Sequence, residues 1–581
     1  MKKTIAVFIA VILLLMPVAA RAQGGVERAI KEIDRPVREK VEKELVEKPK
    51  APPVIEEAEA PPIEEGPKAF VRRIDLTGTE TFLPEKFKHL IEKCENREVT
   101  LGELKRLAKS IEQEYLQEGV VAACIIPPQD IKDGVVIIRV IESHMGELEV
   151  QPSHYFNDER LSRYWEIKPG DIIKYYKLSR SLQRMNKNPD RDVKATLHAG
   201  KEPRTTGVAL DTKTYFPLHF LFSFDREGAV ATGKARIGFA GRENNLLGLD
   251  DTMIAGYTYS EHSNNVYAYH SVPVGYRGTS IIYGFNRSEA FPKKDFEIYD
   301  LRSYSKSASI FLYQDAFYKD VNFGEFSIGL DGNDKDVYTN NGVLNRDRLR
   351  VLRVGANLYA RGFGGMNYIR PEFSQGLNLF GARRASDVSS RHAGCTFSKF
   401  KLGLTHRKQL PLKMQLILKA SGQCASEKLT PQEEAALGGI DSVRGYPYGD
   451  YYADSSIQTN IELLIPPAFL PDEIRLPYAK GPLKDSVQGL LFFDYACGYR
   501  RGKIQGEKTF NRMASLGLGV RVHLYDQLYL RLEWGVPLSP FVDEPLSEMA
   551  RSRVHISIDF EDQIPREIVR IKKMVRDAAL R

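Results

Sequence analysis

The spacing of apolar residues changes character several times along the chain, and each change marks a segment. Residues 5–18, "IAVFIAVILLLMPV", form an unbroken apolar run behind Lys2 and Lys3. Residues 24–48 are mostly charged, with Ile30, Ile33, Val37, Val41 and Leu45 recurring every three or four positions. That spacing predicts an amphipathic helix, broken or kinked at Pro36. Residues 49–68 lose all periodicity and are rich in proline and glutamate, "APPVIEEAEAPPIEEGPK", which reads as an extended linker without a core of its own.

Order resumes at Phe70. "FVRRIDLTG" is a predicted strand, and "PEKFKHLIEKC" a helix with Pro84 in its first turn. "TLGELKRLAKSIEQEYLQEG" is a second helix, opened by the capping box of Thr100 and Glu103 and closed at Gly119, with Leu104, Ala108, Ile111 and Tyr115 as its apolar stripe. The strands "VVAACIIPP" and "GVVIIRVIES" complete a βααββ unit over residues 70–143. The same order recurs over 145–205: "GELEVQP", then "NDERLSRYWEI" and "YYKLSRSLQRMNKN", then "VKATLHAG" and "TTGVALDT". Two tandem α+β modules follow from this repetition.

From Thr206 to Phe560 the period falls to two. In "KARIGFAG", Ala235, Ile237 and Phe239 alternate with Arg236 and Gly238; in "DTMIAGYTYSE", Met253, Ala255, Tyr257 and Tyr259 share one face. "SIIYGFN", "LRVGANLYARG", "MQLILKASGQ", "SLGLGVRVHLY" and "LYLRLEWG" continue the pattern. The 355 residues of this region, at roughly 20 to 24 per strand and loop, predict about 16 strands of a transmembrane antiparallel β-barrel.

The apolar start is too short for a spanning helix and ends in Ala20-Arg21-Ala22, the pattern of a cleaved secretory signal over residues 1–22. No cysteine follows the site to carry a lipid. A mean hydropathy of −0.34 excludes neither a soluble chain nor a barrel, because lipid-facing and lumen-facing residues average out. The signal, together with tyrosines and phenylalanines clustered near strand ends, favours the outer-membrane barrel over a soluble all-β repeat. The net charge of +7 comes from densely mixed signs, so no nucleic-acid partner is expected. The five cysteines are too few for a disulfide scaffold, and Cys94 and Cys124 fit either a pair or free thiols. No Ser/His/Asp set, metal-ligand spacing, paired catalytic carboxylates or phosphate-cradling loop stands out, so neither enzymatic activity nor a cofactor is expected.

One loop and one strand stand apart. "LGGIDSVRGYPYGD" sets Arg444 among the glycines at 438, 439 and 445, which permit the chain to fold back on itself. In "SVQGLLFFDYACGY", alternation puts Phe492, Asp494 and Ala496 on one face and Leu491, Phe493 and Tyr495 on the other. Asp494 belongs in the lumen rather than in lipid. A guanidinium suits a two-pronged grip on a carboxylate, so Arg444 is expected to reach Asp494; the alternative is a solvent-exposed hairpin loop, with each charge left to water or its near neighbours.

These stretches carry a resemblance. "VRGY", behind "LGG" and ahead of "FFDYA", resembles the sixth-loop signature and facing strand of the two-partner secretion transporters, the TpsB family. "IIPPQDIKDGVVIIRVIES", "NNLLGLDD", "YHSVPVGYRG" and "LTPQEEAALGGIDSVRGY" resemble further family segments in the family's order. The resemblance implies an outer-membrane pore that exports a large partner protein. It implies an N-terminal helix at 24–48 able to plug the pore, a linker at 49–68, POTRA modules at 70–143 and 145–205 in the periplasm, and a barrel at 206–560. Its partners would be a secreted exoprotein taken up in extended form, outer-membrane lipid and lipopolysaccharide, and the barrel-assembly machinery during biogenesis, with the transporter itself a monomer. The functional loop role falls on Val443, Arg444, Gly445 and Tyr446, and the lumen partner role on Phe492 and Asp494. The chain departs from the family in Ala496, where the strand motif commonly ends in glycine, and in the charged tail at 561–581 beyond the terminal aromatic Phe560. Barrel-assembly (insertase) factors share the loop but carry more POTRA modules; they are the alternative.

Overall fold

The computed structural model describes Glu56, Glu57 and residues 66–561, apart from 67, 132, 203–204, 230, 320–321, 476–480, 503–507, 525–526 and 540–551. The expected signal, the helix at 24–48, most of the linker and the tail beyond Glu561 lie outside the described residues. The chain divides into two compact units, one holding the α+β modules and the other the barrel.

In the first module the helix Leu101–Gln117 starts on the expected capping box. Thr100 accepts from the Glu103 backbone N–H, and Glu103 accepts from that of Thr100. Its buried face of Leu104, Leu107, Ile111 and Tyr115 packs on Val136, Ile138 and Val140. The strand expected at Phe70 is two strands, Lys68–Val71 and Arg73–Thr77, because the chain changes partners at Arg72. The first half pairs antiparallel with Arg97–Thr100, a strand not foreseen from sequence, and the second pairs parallel with Val135–Glu142. Gly134 holds the break, its carbonyl accepting from both Arg72 and Arg73 N–H. The helix expected from Pro84 comes in three short pieces, Pro84–Phe87, Lys88–Ile91 and Glu92–Cys94. Cys94 and Cys124 are free thiols.

The second module places helices Asp158–Arg163 and Tyr175–Met185 beside the strands His144–Val150, Arg191–Ala199 and Thr205–Thr214. Glu56 and Glu57, from the linker, run parallel to Thr196 and Leu197 at the edge of that sheet.

The barrel closes with 16 strands in sequential order, its first strand Leu218–Asp225 pairing with its last, Arg553–Glu561. Every neighbouring pair whose register is described is antiparallel. Alternation decides which side chain meets which medium. On Val487–Tyr499 the buried set Leu490, Phe492, Asp494 and Ala496 points inward, while Leu491 and Tyr495 are exposed outside. Among the described residues no helix is long and apolar enough to cross a membrane; the apolar belt belongs to the strands.

Candidate functional site

The sixth long loop runs from Ala425 to Ser455 between the strands Gln415–Ala425 and Ser455–Ile465. It turns into the barrel rather than away from it. Gly438, Gly439, Gly445 and Gly449 all hold positive φ, which is how the chain reverses in so little space. A short hairpin of Ala435–Leu437 against Tyr451–Ala453 carries the loop. Leu437, Val443, Tyr446, Tyr451 and Ala453 pack with Ala496 and Met513 of the wall in a small apolar core. The methyl of Ala496, where the resembled motif has glycine, fills a place in that core.

Arg444 is 1% exposed. Its Nε and Nη2 donate to the two oxygens of Asp494 at 2.8 and 2.6 Å, and its backbone N–H reaches Asp494 Oδ2 at 3.0 Å. Nη1 donates to Glu462 at 2.8 Å and to Glu533 at 2.9 Å. The guanidinium lies 3.6 Å from the centre of the Phe492 ring. Phe492 has room to lie there because Gly517 stands opposite it; a Cβ at 517 would fall 2.2 Å from the ring.

The three carboxylates are not equivalent. Glu462 also accepts from Arg521 and Lys419, and Glu533 from Arg521 and Arg531. Apart from Arg444, the bond to Asp494 is a neutral one, from Asn460 at 2.8 Å. Asp494 is therefore the carboxylate that the loop arginine serves, whereas the glutamates keep wall cations of their own.

Each neighbour of Arg444 in the loop has a separate task. Gly445 passes Gly535 backbone to backbone: a Cβ on Gly535 would lie 2.5 Å from Gly445 N. Gly445 N–H donates to His555 Nε2 at 3.3 Å, which leaves the imidazole proton on Nδ1, facing Glu227 at 2.9 Å. The Tyr446 hydroxyl bonds the backbone of Ala514 and Ser539. Val443 is buried in the apolar core.

A second attachment lies at the base of the loop. Glu433 accepts from Arg353 at 2.6 and 3.2 Å and from Lys399, on two strands other than those that bear Glu462, Asp494 and Glu533. Next to it, Glu434 pairs with Arg391 at 2.7 Å and Arg500 at 3.4 Å.

All six residues singled out from sequence meet at one place. Sequence reasoning missed Glu462, Glu533, Arg521, Gly535 and the Glu433 attachment. Alternation in "LYLRLEWG" does put Arg531, Glu533 and Gly535 on one face, so a charged, glycine-bearing lumen face was there to be read.

Comparison with known proteins follows the same lines. The model of the haemolysin secretion/activation proteins ShlB/FhaC/HecB matches residues 205–522, and that of the ShlB-type POTRA domain matches 69–143. The outer membrane transporter CdiB of Dickeya dadantii is 23% identical over 365 residues, 60% of this chain and 64% of that one. The heme/hemopexin transporter protein HuxB of Haemophilus influenzae is 22% identical over 484 residues, 78% of this chain and 80% of that one. The solved structure of CdiB from Escherichia coli aligns with a TM-score of 0.66 at 18% identity, covering 93% of this chain and 99% of that one.

Proposed function

Because the chain belongs to the ShlB/FhaC/HecB family of haemolysin secretion/activation proteins, we propose that it is an outer-membrane pore that exports a partner protein. The barrel spans the outer membrane, and the modules at 70–143 and 145–205 stand in the periplasm. There they take up a large secreted exoprotein in extended form. Small sheets suit that task, since backbone hydrogen bonds along an edge or groove accept varied sequences. The mature chain works as a monomer in outer-membrane lipid and lipopolysaccharide, placed there by the barrel-assembly machinery. Export needs neither cofactor nor nucleotide, the passenger's folding outside supplying the drive. The match to the secretion family supports this reading over a barrel-inserting factor.

The observation that carries the proposal is a barrel whose lumen is occupied by its own loop, gripped through Arg444. A channel for an extended chain needs a closed state that can open, and a loop tethered by discrete ion pairs supplies one. Asp494 and Phe492 form the receptor, with Val443, Gly445 and Tyr446 shaping what enters it.

The test is to delete the gene, identify the secreted protein that disappears from the medium, and restore the gene with Arg444→Ala. Loss of that protein from the medium, with the barrel still assembled in the outer membrane, is the expected result. Normal secretion from the variant would overturn the role of Arg444. Failure of the variant to reach the membrane would assign the residue to assembly instead.

A further inference from the structure

On the outside of the barrel, four neighbouring strands change from apolar to charged at one level near the long-loop end. They are Thr279–Ala290, Arg302–Lys319, Asn322–Thr339 and Gly342–Gly362. Phe285 faces Ala308 and, one step nearer the loops, Arg287 faces Lys306. On the next pair Leu330 faces Leu352, then Gly332 faces Arg350, Asp334 faces Arg348 and Asp336 faces Arg346. Phe285, Ile310 and Leu330 are exposed to the lipid side below this level.

The basic side of this boundary is not neutralised. Among the described residues, the carboxylates paired with Arg346, Arg348 and Arg350 are Asp334 and Asp336. Arg287 pairs with Glu289. Lys306 is exposed beside Arg287, and like charges directly opposite on one face repel. Among the described residues of this patch, five cations thus stand against three carboxylates, in the layer where lipid headgroups lie.

Beneath them is a crevice that opens outward, lined by Ala308, Ile310, Leu330, Gly332, Arg350 and Phe380. It exists because Ala308 and Gly332, which lie close together on neighbouring strands, carry almost no side chain. A Cβ built on Gly332 would meet nothing closer than 3.6 Å. The loop that roofs it is tied down, Arg350 Nε donating to the Phe380 carbonyl at 3.1 Å.

The geometry points to a binding site for a phosphorylated, multiply acylated glycolipid of the outer leaflet, the lipid A part of lipopolysaccharide. One acyl chain lies in the crevice, and its phosphate rests against Lys306, Arg287 and Arg350. Charge complementarity selects the phosphate, because a guanidinium and an ammonium above an apolar floor bind it far better than a zwitterionic headgroup. This site rests on the outer-membrane reading above.

The experiment uses the purified full-length protein in detergent, titrated with lipid A and followed by thermal unfolding and native mass spectrometry. Parallel titrations use lipid A stripped of phosphate, inorganic pyrophosphate and phosphatidylethanolamine. Lipid A is expected to raise Tm and leave a bound copy, with each control at least about tenfold weaker, the loss of one charge-assisted contact. Lys306→Glu and, separately, Gly332→Leu, which fills the floor beside the Arg350 side chain and removes no charge, should each weaken lipid A binding by about tenfold. Heat-modifiable gel migration verifies that both variants are folded barrels. Equal binding of dephosphorylated lipid or pyrophosphate overturns the site, as does unchanged affinity in both variants; a synthetic acidic peptide that competes lipid A off would mark it as a protein-docking surface instead. Cell fractionation separates the two readings. If the protein is absent from the outer membrane, both fall; if it is present and lipid A shows no preference, only this site falls.

Discussion

The tip and the base of the sixth loop are both held by buried ion pairs, but with opposite polarity. At the tip the loop brings a cation, Arg444, to wall carboxylates Asp494, Glu462 and Glu533. At the base it brings an anion, Glu433, to wall cations Arg353 and Lys399. Neither end can dock in the other's place without setting like charges together in a poorly solvated lumen. A buried ion pair contributes little net stability over a well-packed apolar pair, while losing one partner is costly. The two attachments therefore fix where the loop sits and in which direction, whereas the continuous strand ladder holds the barrel together.

The tip should fail harder than the base. Arg444→Ala leaves Asp494 buried with only a neutral donor, a loss of about 3–5 kcal/mol in loop docking. Amide hydrogen exchange over residues 435–453 is expected to speed up on the order of 10²–10³-fold, and an unchanged rate would mean that the ion pairs do not hold the loop. Glu433→Gln should cost about 2 kcal/mol, because Arg353 keeps Asp331 at 3.1 Å and Glu372 at 3.6 Å, and Lys399 keeps the backbone carbonyl of position 433 at 3.0 Å. Exchange should rise near residues 430–437 first, leaving the tip protected. If the tip opens equally, the two attachments act as one.

A purely steric change sharpens the contrast. Gly445→Ala keeps every charge but adds a Cβ at positive φ, 3.0 Å from the Gly535 carbonyl carbon. Its cost should be about 2 kcal/mol, read as intermediate exchange confined to the tip; the effect of Arg444→Ala at full size here would show that shape, not charge, governs docking.

The smallest effect belongs to a buried carboxylate satisfied without any cation. Glu142, in the first module, accepts from the N–H groups of Glu80 and Thr81 at 2.8 and 2.7 Å, from the Thr81 hydroxyl, and from Tyr115 at 3.2 Å. Burial alone would raise its pKa, but the hydrogen bonds from Thr81 and Glu80 outweigh that and hold it below the ordinary 4.5. A depressed folded pKa stabilises the module above the unfolded pKa, and that stability is lost as pH falls through the folded value. Glu142→Gln should remove about 1 kcal/mol near pH 7 and flatten the acid side of the thermal-stability profile of the full chain. An unaltered acid limb would assign the pH dependence to other groups.

Local pattern revealed much of this molecule. A period of two and a regular turn spacing are properties of single strands, so the barrel and its strand number followed from them. The lumen placement of Asp494 needed only alternation, and its link to Arg444 needed one further step, that a buried carboxylate seeks a cation. Glu462 and Glu533 did not follow, because alternation says which face a residue takes and nothing about which distant strand stands across the lumen. Gly535 was hidden for the same reason: its lack of a side chain matters only where Gly445 crosses it. In the first module, Arg97–Thr100 was missed because its pairing with Lys68–Val71 is non-local and only four residues long.

His555 gives the loop a mechanical relation to the closure of the barrel. It sits on the last strand, accepts from Gly445 of the loop, and faces Glu227, just beyond the first strand. Among the described residues the first and last strands pair over five positions, Leu221–Asp225 with Ser557–Glu561. Withdrawal of the loop thus removes a hydrogen bond at the joint where the two ends of the sheet meet. Linkage makes the coupling reciprocal: whatever tightens that joint also holds the loop more firmly, so the seam of the cylinder and the loop inside it share one free-energy balance.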